Sequence, residues 1–570
     1  MSTECCSSAE YDPLHVVEAP SPELKTCSSI LSREKQSIVL SSDQKEHFDR
    51  INEILSSYMY YVDSSETGGG KTFVASSVSK HRKLSLFVVA PPMAISSAWE
   101  PVTLSYDVPW IEMISYQSLV GRAESGLKHG WLKRENITVG NNTKAVFTVT
   151  KRLQDVIDQG ILLVFDEAHA LKNANTMSMN AAMTLSNAVM KSGGRSRVAL
   201  LTATLFDKKE HAASFVRILG YVDPERPMFT KGGKPDAITD LIEKCRKMDP
   251  DTTADLEEEY RINTSSQDSL ISELMYMVIL AKTSSAVPSI AYENKEGELI
   301  VKDYKDGYYT MKDDEAAILR DAIARLGDAV GYDESTREVK SMENTSFGAI
   351  TNAMMAVESA KINTFARIII STLIKNDNCK VIVMVGFVRT IDTLIQLLKS
   401  THELLIEIGI DRDKVNKLAL TNVSVLNGEV KMSSRVAGIS SFQEDNDNVR
   451  ILIGTIPTGG QSISLHDLSG NYERTVVVSP GYSAIRMHQV VGRAYRRNVQ
   501  SNVVARFVYG KVGIREASIL AAMSRKAEVL SKVNKVQKES GVLFPGEYPV
   551  EENDVYQYFV NFDTLTCLFS

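Results

Sequence analysis

The sequence predicts an α/β protein made of two tandem units, each with a parallel sheet covered by helices on both faces. The first observation is a series of short apolar runs of strand length in residues 40–220, with helical stretches between them. The second is the return of the same pattern in residues 355–525. Buried strands that alternate with helices indicate parallel sheets. The predicted strands are 86–90, 161–165, 198–201, 380–385, 423–426, 450–453 and 475–478.

Composition and pattern divide the chain into five parts. The first 35 residues are rich in Ser, Glu, Lys and Pro and are expected to form a disordered arm. Between the two α/β units, residues 221–354 are charged and mostly helical in pattern, so they could form an inserted subdomain or a helical extension of the first unit. The last part begins basic and ends aromatic. The predicted parts are 1–35, 36–220, 221–354, 355–525 and 526–570.

Net charge, cysteine spacing and the lengths of apolar runs exclude several classes of protein. The 570 residues carry a formal net charge of -7, which excludes a globally basic nucleic-acid binder, so a nucleic-acid track has to be a local groove. The six cysteines form no matched Cys-x₂-Cys pairs, so no zinc site is predicted. The N-terminus lacks the apolar run of a signal peptide, and no stretch has the apolar length of a membrane span. A soluble intracellular protein is therefore expected.

A glycine-rich turn followed by lysine and threonine is the sharpest local feature of the first unit. It follows an apolar-aromatic run and precedes a helical stretch, as a phosphate-binding loop does. Glycines let backbone N–H groups face phosphates, the lysine reaches the β- and γ-phosphates, and the threonine hydroxyl binds Mg²⁺. The full Walker pattern has glycine where Ser65 stands, and a flexible turn is the alternative interpretation. The loop residues are Thr67, Gly68, Gly69, Gly70, Lys71 and Thr72.

Two carboxylates follow the apolar run 161–165 of the same unit. A carboxylate at the end of a buried strand near a phosphate-binding loop is where magnesium is held, so Asp166 and Thr72 are the predicted magnesium residues. The next residue, Glu167, is predicted to orient or deprotonate the attacking water. A lone Asp-Glu pair can also be a solvated turn, but the strand before it and the upstream loop favour a nucleotide site.

These residues resemble the motifs of a known family. Residues 166–169, which read Asp-Glu-Ala-His, resemble the motif II box of DEAH-type superfamily 2 helicases. The continuation 170–173 is similar to that of the Swi/Snf-type translocases. The resemblance implies that motif III couples the ATP site to a nucleic-acid track. It also implies that motif Ia and one further motif of this unit contact that track. The corresponding stretches are 201–205 for motif III, 88–91 with Trp99 for motif Ia, and 114–118 for the next track motif.

The second unit carries the motif VI pattern Q-x-x-G-R-x-x-R at residues 489–497. A transferred phosphoryl group gathers negative charge on its oxygens, and guanidinium groups from a facing lobe stabilise that charge. The resemblance implies that Arg493 and Arg496 are these arginine fingers. It also implies that Gln489 contacts the phosphate region or the attacking water.

Other motifs complete the resemblance. Residues 454–465, with Gly460, resemble motif V, and residues 381–386 resemble motif IV. Upstream, Gln44 lies where these motors carry a glutamine that contacts adenine, and a surface glutamine on a helix is the alternative. The ordered set of motifs covers roughly residues 40–220 and 355–525, which is far more specific than any single box.

The resemblance implies two RecA-like lobes that bind ATP and Mg²⁺ between them. The implied function is a nucleic-acid-stimulated ATPase that translocates on or unwinds nucleic acid, DNA in preference to RNA, in transcription or replication. Within superfamily 2, the motifs resemble most those of Swi/Snf-type and strawberry-notch-type ATPases, including viral and phage relatives. Three alternatives stay open: an RNA helicase, an interaction subunit that uses ATP as a switch, and an unrelated P-loop enzyme such as a small-molecule kinase.

The segments outside the family motifs give weaker indications of binding partners. A basic cluster follows motif VI, and such clusters either bind a phosphate backbone or form a solvated helix face. Residues 221–354 and 526–570 carry no motif of the family and are candidate surfaces for protein partners. No contact with a membrane is predicted.

Overall fold

The computed structural model describes most of both predicted α/β units. The first 35 residues, Thr67, Gly460 and residues 528–570 lie outside the described set. The described residues are 37–66, 68–121, 129–139, 142–174, 176–203, 205–206, 209–223, 226, 237–263, 267–287, 294–309, 311–339, 347–407, 409, 411–459, 463–496, 498–512 and 515–527.

The strands are short and follow one another along the whole described chain. In chain order they are β1 (Tyr60–Asp63), β2 (Ser85–Ala90), β3 (Trp110–Ser115), β4 (Leu132–Val139), β5 (Asn142–Val149), β6 (Ile161–Asp166), β7 (Arg197–Leu201), β8 (Ser284–Ser285), β9 (Lys302–Tyr309), β10 (Tyr332–Asp333), β11 (Glu338–Val339), β12 (Cys379–Val385), β13 (Val423–Leu426), β14 (Ile451–Thr455), β15 (Glu473–Val478) and β16 (Val503–Gly510).

Helices fill the intervals between the strands. They are α1 (Ser42–Ser57), α2 (Lys71–Arg82), α3 (Pro92–Ala94), α4 (Glu100–Ser105), α5 (Tyr116–Val120), α6 (Lys151–Gln159), α7 (Met177–Lys191), α8 (Ala212–Ile218), α9 (Ala237–Met248), α10 (Pro250–Asn263), α11 (Gln267–Glu273), α12 (Ala281–Thr283), α13 (Asp313–Val330), α14 (Phe347–Ser359), α15 (Ile362–Lys375), α16 (Val388–Glu407), α17 (Arg412–Lys417), α18 (Met432–Gln443), α19 (Ile456–Gly459), α20 (Ala484–Val491) and α21 (Arg515–Ala527). Shorter π and 3₁₀ turns lie at Ile95–Trp99, Ala168–Leu171, Lys209–His211 and Leu274–Leu280.

The first lobe is a six-stranded parallel sheet with the strand order β3-β2-β6-β7-β1-β8. Both faces are buried, because alternate residues of β6 enter different cores. Leu162 and Val164 pack on the side of α1 and α2, whereas Leu163 and Phe165 pack on the opposite side with α7. A strand that is apolar on both faces is typical of a parallel sheet covered by two helix layers.

The second lobe repeats the architecture with a different strand order, β13-β14-β12-β15-β16-β9, again with every neighbouring pair parallel. Val381 and Val383 of β12 face one core, and Ile382 and Met384 face the other. The predicted fold class, two parallel RecA-like α/β lobes, is confirmed. All seven predicted strands are present, within one or two residues at each end.

Residues 221–354, which we expected to form one central helical segment, contribute to both lobes. Helices α9 to α11 share the core of the first sheet, and β8 pairs with β1 at its edge. Beyond the connector 286–301, β9 pairs with β16, from Lys302 opposite Val503 to Tyr309 opposite Gly510, and α13 enters the core of the second sheet. The described residues of this segment form neither a separate inserted subdomain nor an extension of the first unit alone, because each half supplies an edge strand to a different sheet.

Two short antiparallel pairs stand outside the main sheets. The hairpin of β4 and β5 lies between α5 and α6 of the first lobe, and β10 pairs with β11 after α13. Within the described part of the chain, no helix is both long and apolar enough to cross a membrane.

Candidate active site

The predicted phosphate-binding loop connects β1 to α2, as its motif requires. Gly68 and Gly70 have φ values of 94° and 85°, in the left-handed region that favours glycine. A Cβ on Gly70 would collide with the side chain of Gln44, and a Cβ on Gly68 would lie 2.9 Å from Cγ of Arg496. Neither position admits a side chain, as expected of a loop whose backbone cradles phosphates. Thr67, in the same loop, lies outside the described residues.

Lys71 begins α2 and holds its own loop together. Its ammonium donates to the carbonyl oxygen of Ser65 at 2.7 Å and to that of Glu66 at 3.1 Å. Both acceptors are neutral, so phosphate oxygens can replace them with a gain in charge complementarity. Thr72 follows on the first turn of α2 and is half-buried. The N-terminus of this helix has no side-chain cap, so its free N–H groups can bind an anion.

Gln44 joins α1 to the loop. Its side-chain amide donates to the carbonyl oxygen of Gly69 at 3.1 Å, and its Oε1 accepts from the backbone N–H of Ser41 at 3.2 Å. The second bond closes a capping box at the start of α1. Gln44 is buried, which excludes the surface-glutamine alternative. Its contact with adenine stays a prediction.

Asp166 is the last residue of β6, and its carboxylate is held by two donors. Oδ2 accepts from Nε1 of Trp99 at 2.9 Å, and Oδ1 accepts from the backbone N–H of Glu167 at 2.9 Å. The hydroxyl of Tyr116 donates to the backbone oxygen of Asp166 at 2.8 Å. Burial, followed by the negative charge of Glu167, raises the pKa of Asp166 to about 6. A buried carboxylate of this kind is stabilised in its charged form by a nearby cation.

Glu167 adopts a left-handed backbone conformation, with φ of 52°. Its Oε2 lies 3.3 Å from Nδ1 of His169, and its Oε1 lies 3.6 Å from Nη2 of Arg493. Burial alone would raise the pKa of Glu167, but the hydrogen bond with His169 and the charge of Arg493 lower that pKa to about 2. Glu167 is therefore an ionised acceptor of hydrogen bonds, in a backbone conformation that costs about 1–3 kcal/mol and is often found at functional sites.

The two arginines of motif VI extend from the second lobe to the first. Arg493 is 2% exposed and forms the ion pair with Glu167. Arg496 donates from Nη1 to the hydroxyl of Ser464 at 2.8 Å, and its side chain packs on Gly68. Gln489 is half-buried on α20. The lobes thus meet at the loop and at Glu167, whereas the roles of all three residues in hydrolysis stay predictions.

The residues at this site suit a magnesium ion that is shared with phosphate oxygens. Asp166 and Thr72 offer oxygen ligands near the glycine loop, since the charge of Lys71 in this loop acts on the Asp166 carboxylate and Thr72 directly follows Lys71. In the described ranges, no group of three His, Cys, Asp or Glu side chains could hold a metal ion by itself. Mg²⁺ needs no such group, because it is usually bound through one or two protein ligands, waters and substrate phosphates.

A buried polar cluster beneath the loop was not found by the sequence analysis. Asp63 ends β1, and its carboxylate lies 3.1 Å from Nε2 of His47. It also accepts from the hydroxyl of Ser65 at 2.5 Å and from the backbone N–H of Ser65 at 3.0 Å. Nδ1 of His47 lies 2.7 Å from the hydroxyl of Ser285 in β8. The position of Asp63 at a strand end, like that of Asp166, was the available sequence clue.

Comparison with known proteins supports the resemblance seen in the motifs. A protein of Acanthamoeba polyphaga mimivirus, named "Putative ATP-dependent RNA helicase L364", is 22% identical over 521 residues, covering 86% of this chain and 83% of the relative. This similarity confirms the predicted resemblance to superfamily 2 helicases. Among solved structures, the C-terminal part of the Fun30 ATPase domain matches 40% of this chain and 90% of its own length, with 12% identity and a TM-score of 0.26. No protein-family model matches the chain.

Proposed function

We propose that this chain is an ATP-dependent translocase or helicase that hydrolyses ATP between its two lobes and moves along nucleic acid. The observation that carries the proposal is the 3.6 Å contact between Arg493 of the second lobe and Glu167 of the first, beside the glycine loop. A site completed by both lobes can open and close around a nucleotide, and the closure can be used as a step along a strand.

The proposed reaction is attack of water on the γ-phosphorus of ATP, which releases ADP and phosphate. Lys71 exchanges the carbonyl oxygens of its own loop for β- and γ-phosphate oxygens. Glu167, kept ionised by His169 and Arg493, accepts a hydrogen bond from the attacking water and orients it. Arg493 and Arg496 stabilise the charge that gathers on the phosphoryl oxygens. Mg²⁺, bound through Thr72 and Asp166, would neutralise part of that charge.

The proposed nucleic-acid track follows the carboxyl ends of parallel strands in both lobes. Strands β2, β3 and β14 lead into the stretches 88–91, 114–118 and 454–465 that resemble track motifs. Ligands of open α/β sheets bind at this edge. The likeness of these stretches to Swi/Snf-type and strawberry-notch-type ATPases favours DNA, with a role in viral transcription or replication. Residues 221–354 and 526–570 stay proposed surfaces for protein partners.

An RNA helicase is the second candidate. The mimivirus relative carries the name of an RNA helicase, and its similarity extends over 86% of this chain. A motor on single strands contacts mainly the phosphate backbone, so the two candidates share the ATP chemistry and differ only in how the track reads the sugar.

The experiment is the rate of ATP hydrolysis with no nucleic acid, single-stranded DNA, duplex DNA, single-stranded RNA and duplex RNA. We expect stimulation by DNA and a loss of about 10²–10⁴-fold in the Glu167→Gln variant, because the amide cannot orient water as the carboxylate does. Stimulation by RNA alone would select the second candidate. A flat rate with all five, equal in the variant, would refute a nucleic-acid motor and favour an ATP switch.

A further inference from the structure

One buried side chain beneath the loop contacts two functional parts of the molecule. The hydroxyl of Ser65 donates to Asp63 at 2.5 Å and accepts from the backbone N–H of Val287 at 2.8 Å. The carbonyl oxygen of Ser65 accepts from the ammonium of Lys71 at 2.7 Å. Val287 is the second residue of the connector, residues 286–301, which joins β8 of the first lobe to β9 of the second and is described at 286–287 and 294–301. Ser65 therefore touches both the predicted phosphate-binding lysine and the chain that joins the lobes.

The surroundings of Ser65 are fixed by further hydrogen bonds. The backbone N–H of Ser64 donates to the carbonyl oxygen of Ser285 at 2.9 Å, which extends the parallel pairing of β1 with β8. His47 bridges Ser285 and Asp63, with distances of 2.7 Å and 3.1 Å. His47, Asp63 and Ser65 are all buried. A buried polar network of this kind is rigid, because each broken bond leaves a polar group unpaired away from water.

We propose that Ser65 is a positioning residue that couples the phosphate-binding loop to the connector between the lobes. When a nucleotide draws Lys71 away from the carbonyl oxygen of Ser65, the loop backbone at Ser65 relaxes, and the Ser65 hydroxyl passes that change to Val287. By reciprocity, a shift of the connector alters the carbonyl that holds Lys71. The inference rests on the proposed nucleotide site at this loop.

The coupling explains why serine stands where the Walker pattern has glycine. Glycine would remove the partner of the Val287 N–H and one donor to Asp63, and a buried donor without a partner is costly. Gly69 packs closely against the side chain of Ser65, since a Cβ on Gly69 would lie 3.1 Å from Cβ of Ser65. A loop that only binds phosphate needs neither feature.

The test compares Ser65→Ala with Ser196→Ala. Ser196 is a matched control, because it is also fully buried in the first lobe and its hydroxyl donates to Ile157 at 2.6 Å and accepts from Ile161 at 2.8 Å. Ser196 directly precedes β7 and so lies at the amino ends of the strands, whereas Ser65 follows β1 at their carboxyl ends. Both variants lose one buried hydroxyl with two hydrogen bonds of 2.5–2.8 Å, and Ser65 also loses a longer contact of 3.5 Å to Nε2 of His47, so a general loss of stability affects both variants.

The measurement is amide hydrogen exchange of the full chain, with and without a non-hydrolysable ATP analogue, in the loop 64–72 and in the stretch 284–301. We expect the analogue to slow exchange in both stretches in the wild type and in Ser196→Ala. In Ser65→Ala we expect the loop to respond and the response of 284–301 to fall at least about fivefold. In turnover, kcat should fall about tenfold and KM change less than about threefold, as for an interaction that acts after binding.

Ser65→Thr, which keeps the hydroxyl, should restore the response of 284–301. Ser65→Gly removes the hydroxyl in the form that the Walker pattern tolerates, and it replaces Ser65→Ala if that variant does not fold. An undiminished response of 284–301 in the variants without the hydroxyl, or an equal loss in Ser196→Ala, would overturn the proposal. If the wild-type loop itself does not respond to the analogue, the proposed nucleotide site fails, and this inference fails with it.

Discussion

Each lobe has its own six-stranded parallel sheet, and a pair of buried carboxylates in the first sheet can be compared with three buried cations in the second. In the first lobe, buried carboxylates lie at the carboxyl ends of strands, with Asp63 ending β1 and Asp166 ending β6. In the second lobe, three buried cations lie at the amino ends. Lys380 and Arg474 are the second residues of β12 and β15, and Arg450 directly precedes β14.

The direction of the helices accounts for this difference. In a parallel α/β sheet, helices begin at the carboxyl edge and end at the amino edge, so the amino edge collects the unpaired carbonyl groups and negative ends of helices. Lys380 donates to the carbonyl oxygens of Phe442 and Glu444, where α18 ends, at 3.0 Å and 2.6 Å. Arg450 donates to those of Lys417 and Asn376, where α17 and α15 end, at 2.9 Å each.

The buried charges therefore fall into two groups, those that stabilise the scaffold and those that are proposed to act at the candidate site. Two cations at the amino edge of the second lobe, Lys380 and Arg450, donate to carbonyl groups where helices end. The carboxylates of the first lobe lie at the edge where helix N-termini favour phosphate. Arg493 and Arg496 are the cations that the second lobe contributes to the candidate site. They lie outside the strands, in the segment between α20 and β16.

The largest expected effect comes from the site cation. In Arg493→Ala, we expect kcat for ATP to fall about 10³–10⁵-fold, because an arginine finger stabilises the charge of the phosphoryl group in the transition state. Arg493→Lys keeps the charge but loses the planar fork, so its turnover should lie between the two. A kcat within tenfold of the wild type in Arg493→Ala would contradict the assignment of this arginine to the site.

A scaffold cation of the same residue type should behave in the opposite way. In Arg450→Met, the carbonyl groups of Cys379, Lys417 and Asn376 lose their donor. We expect the free energy of unfolding of the second lobe to fall by about 2–4 kcal/mol, measured by urea denaturation. Turnover per folded molecule should stay within about threefold of the wild type. A large loss of turnover without a loss of stability would break the division between scaffold and site.

The smallest effect is a dependence of stability on pH that belongs to the scaffold. Burial, followed by the charge of Arg474, lowers the pKa of Lys380 from 10.5 to about 8. Between these two values the unfolded chain binds more protons than the folded one, so the stability contributed by Lys380 rises with pH. The free energy of unfolding of the wild type, relative to that of Lys380→Met, should therefore increase from pH 8 to pH 10. A constant or falling difference would show that Lys380 is not desolvated.

The features that could be predicted from the sequence are those determined by a few consecutive residues. Strand β6 was visible as the apolar run 161–165, because burial on both faces leaves no polar alternation to obscure it. The positions of the loop from Gly68 to Thr72, after β1, and of the pair Asp166 and Glu167, at the end of β6, were predicted in the same way, whereas their binding of nucleotide stays a prediction.

The parts that were missed depend on contacts between distant residues. Strand β9 reads Lys-Asp-Tyr-Lys-Asp-Gly-Tyr-Tyr, and as an edge strand with one neighbour it needs no apolar run. For this reason the segment 221–354 was expected to be one helical part, although it is shared between the lobes. The bond from Val287 to Ser65 joins residues 222 positions apart, and no spacing rule reports such a pair.

The pairing of β9 with β16 also bears on how the chain folds as it is made. The first lobe has all its strands once β8 leaves the ribosome, so it can fold while the second lobe is still being synthesised. Strand β9 emerges next, but β16, its one neighbour among the described strands, follows about 200 residues later. At 5–20 residues per second this interval is about 10–40 s.

During that interval β9 presents unpaired backbone groups of the kind that recruit other strands. The newborn chain is therefore most exposed to misassembly after its first lobe is complete and before residue 510 has been added. Slower translation of the second lobe lengthens this period, whereas a chaperone that covers β9 removes the hazard without touching the proposed ATP site.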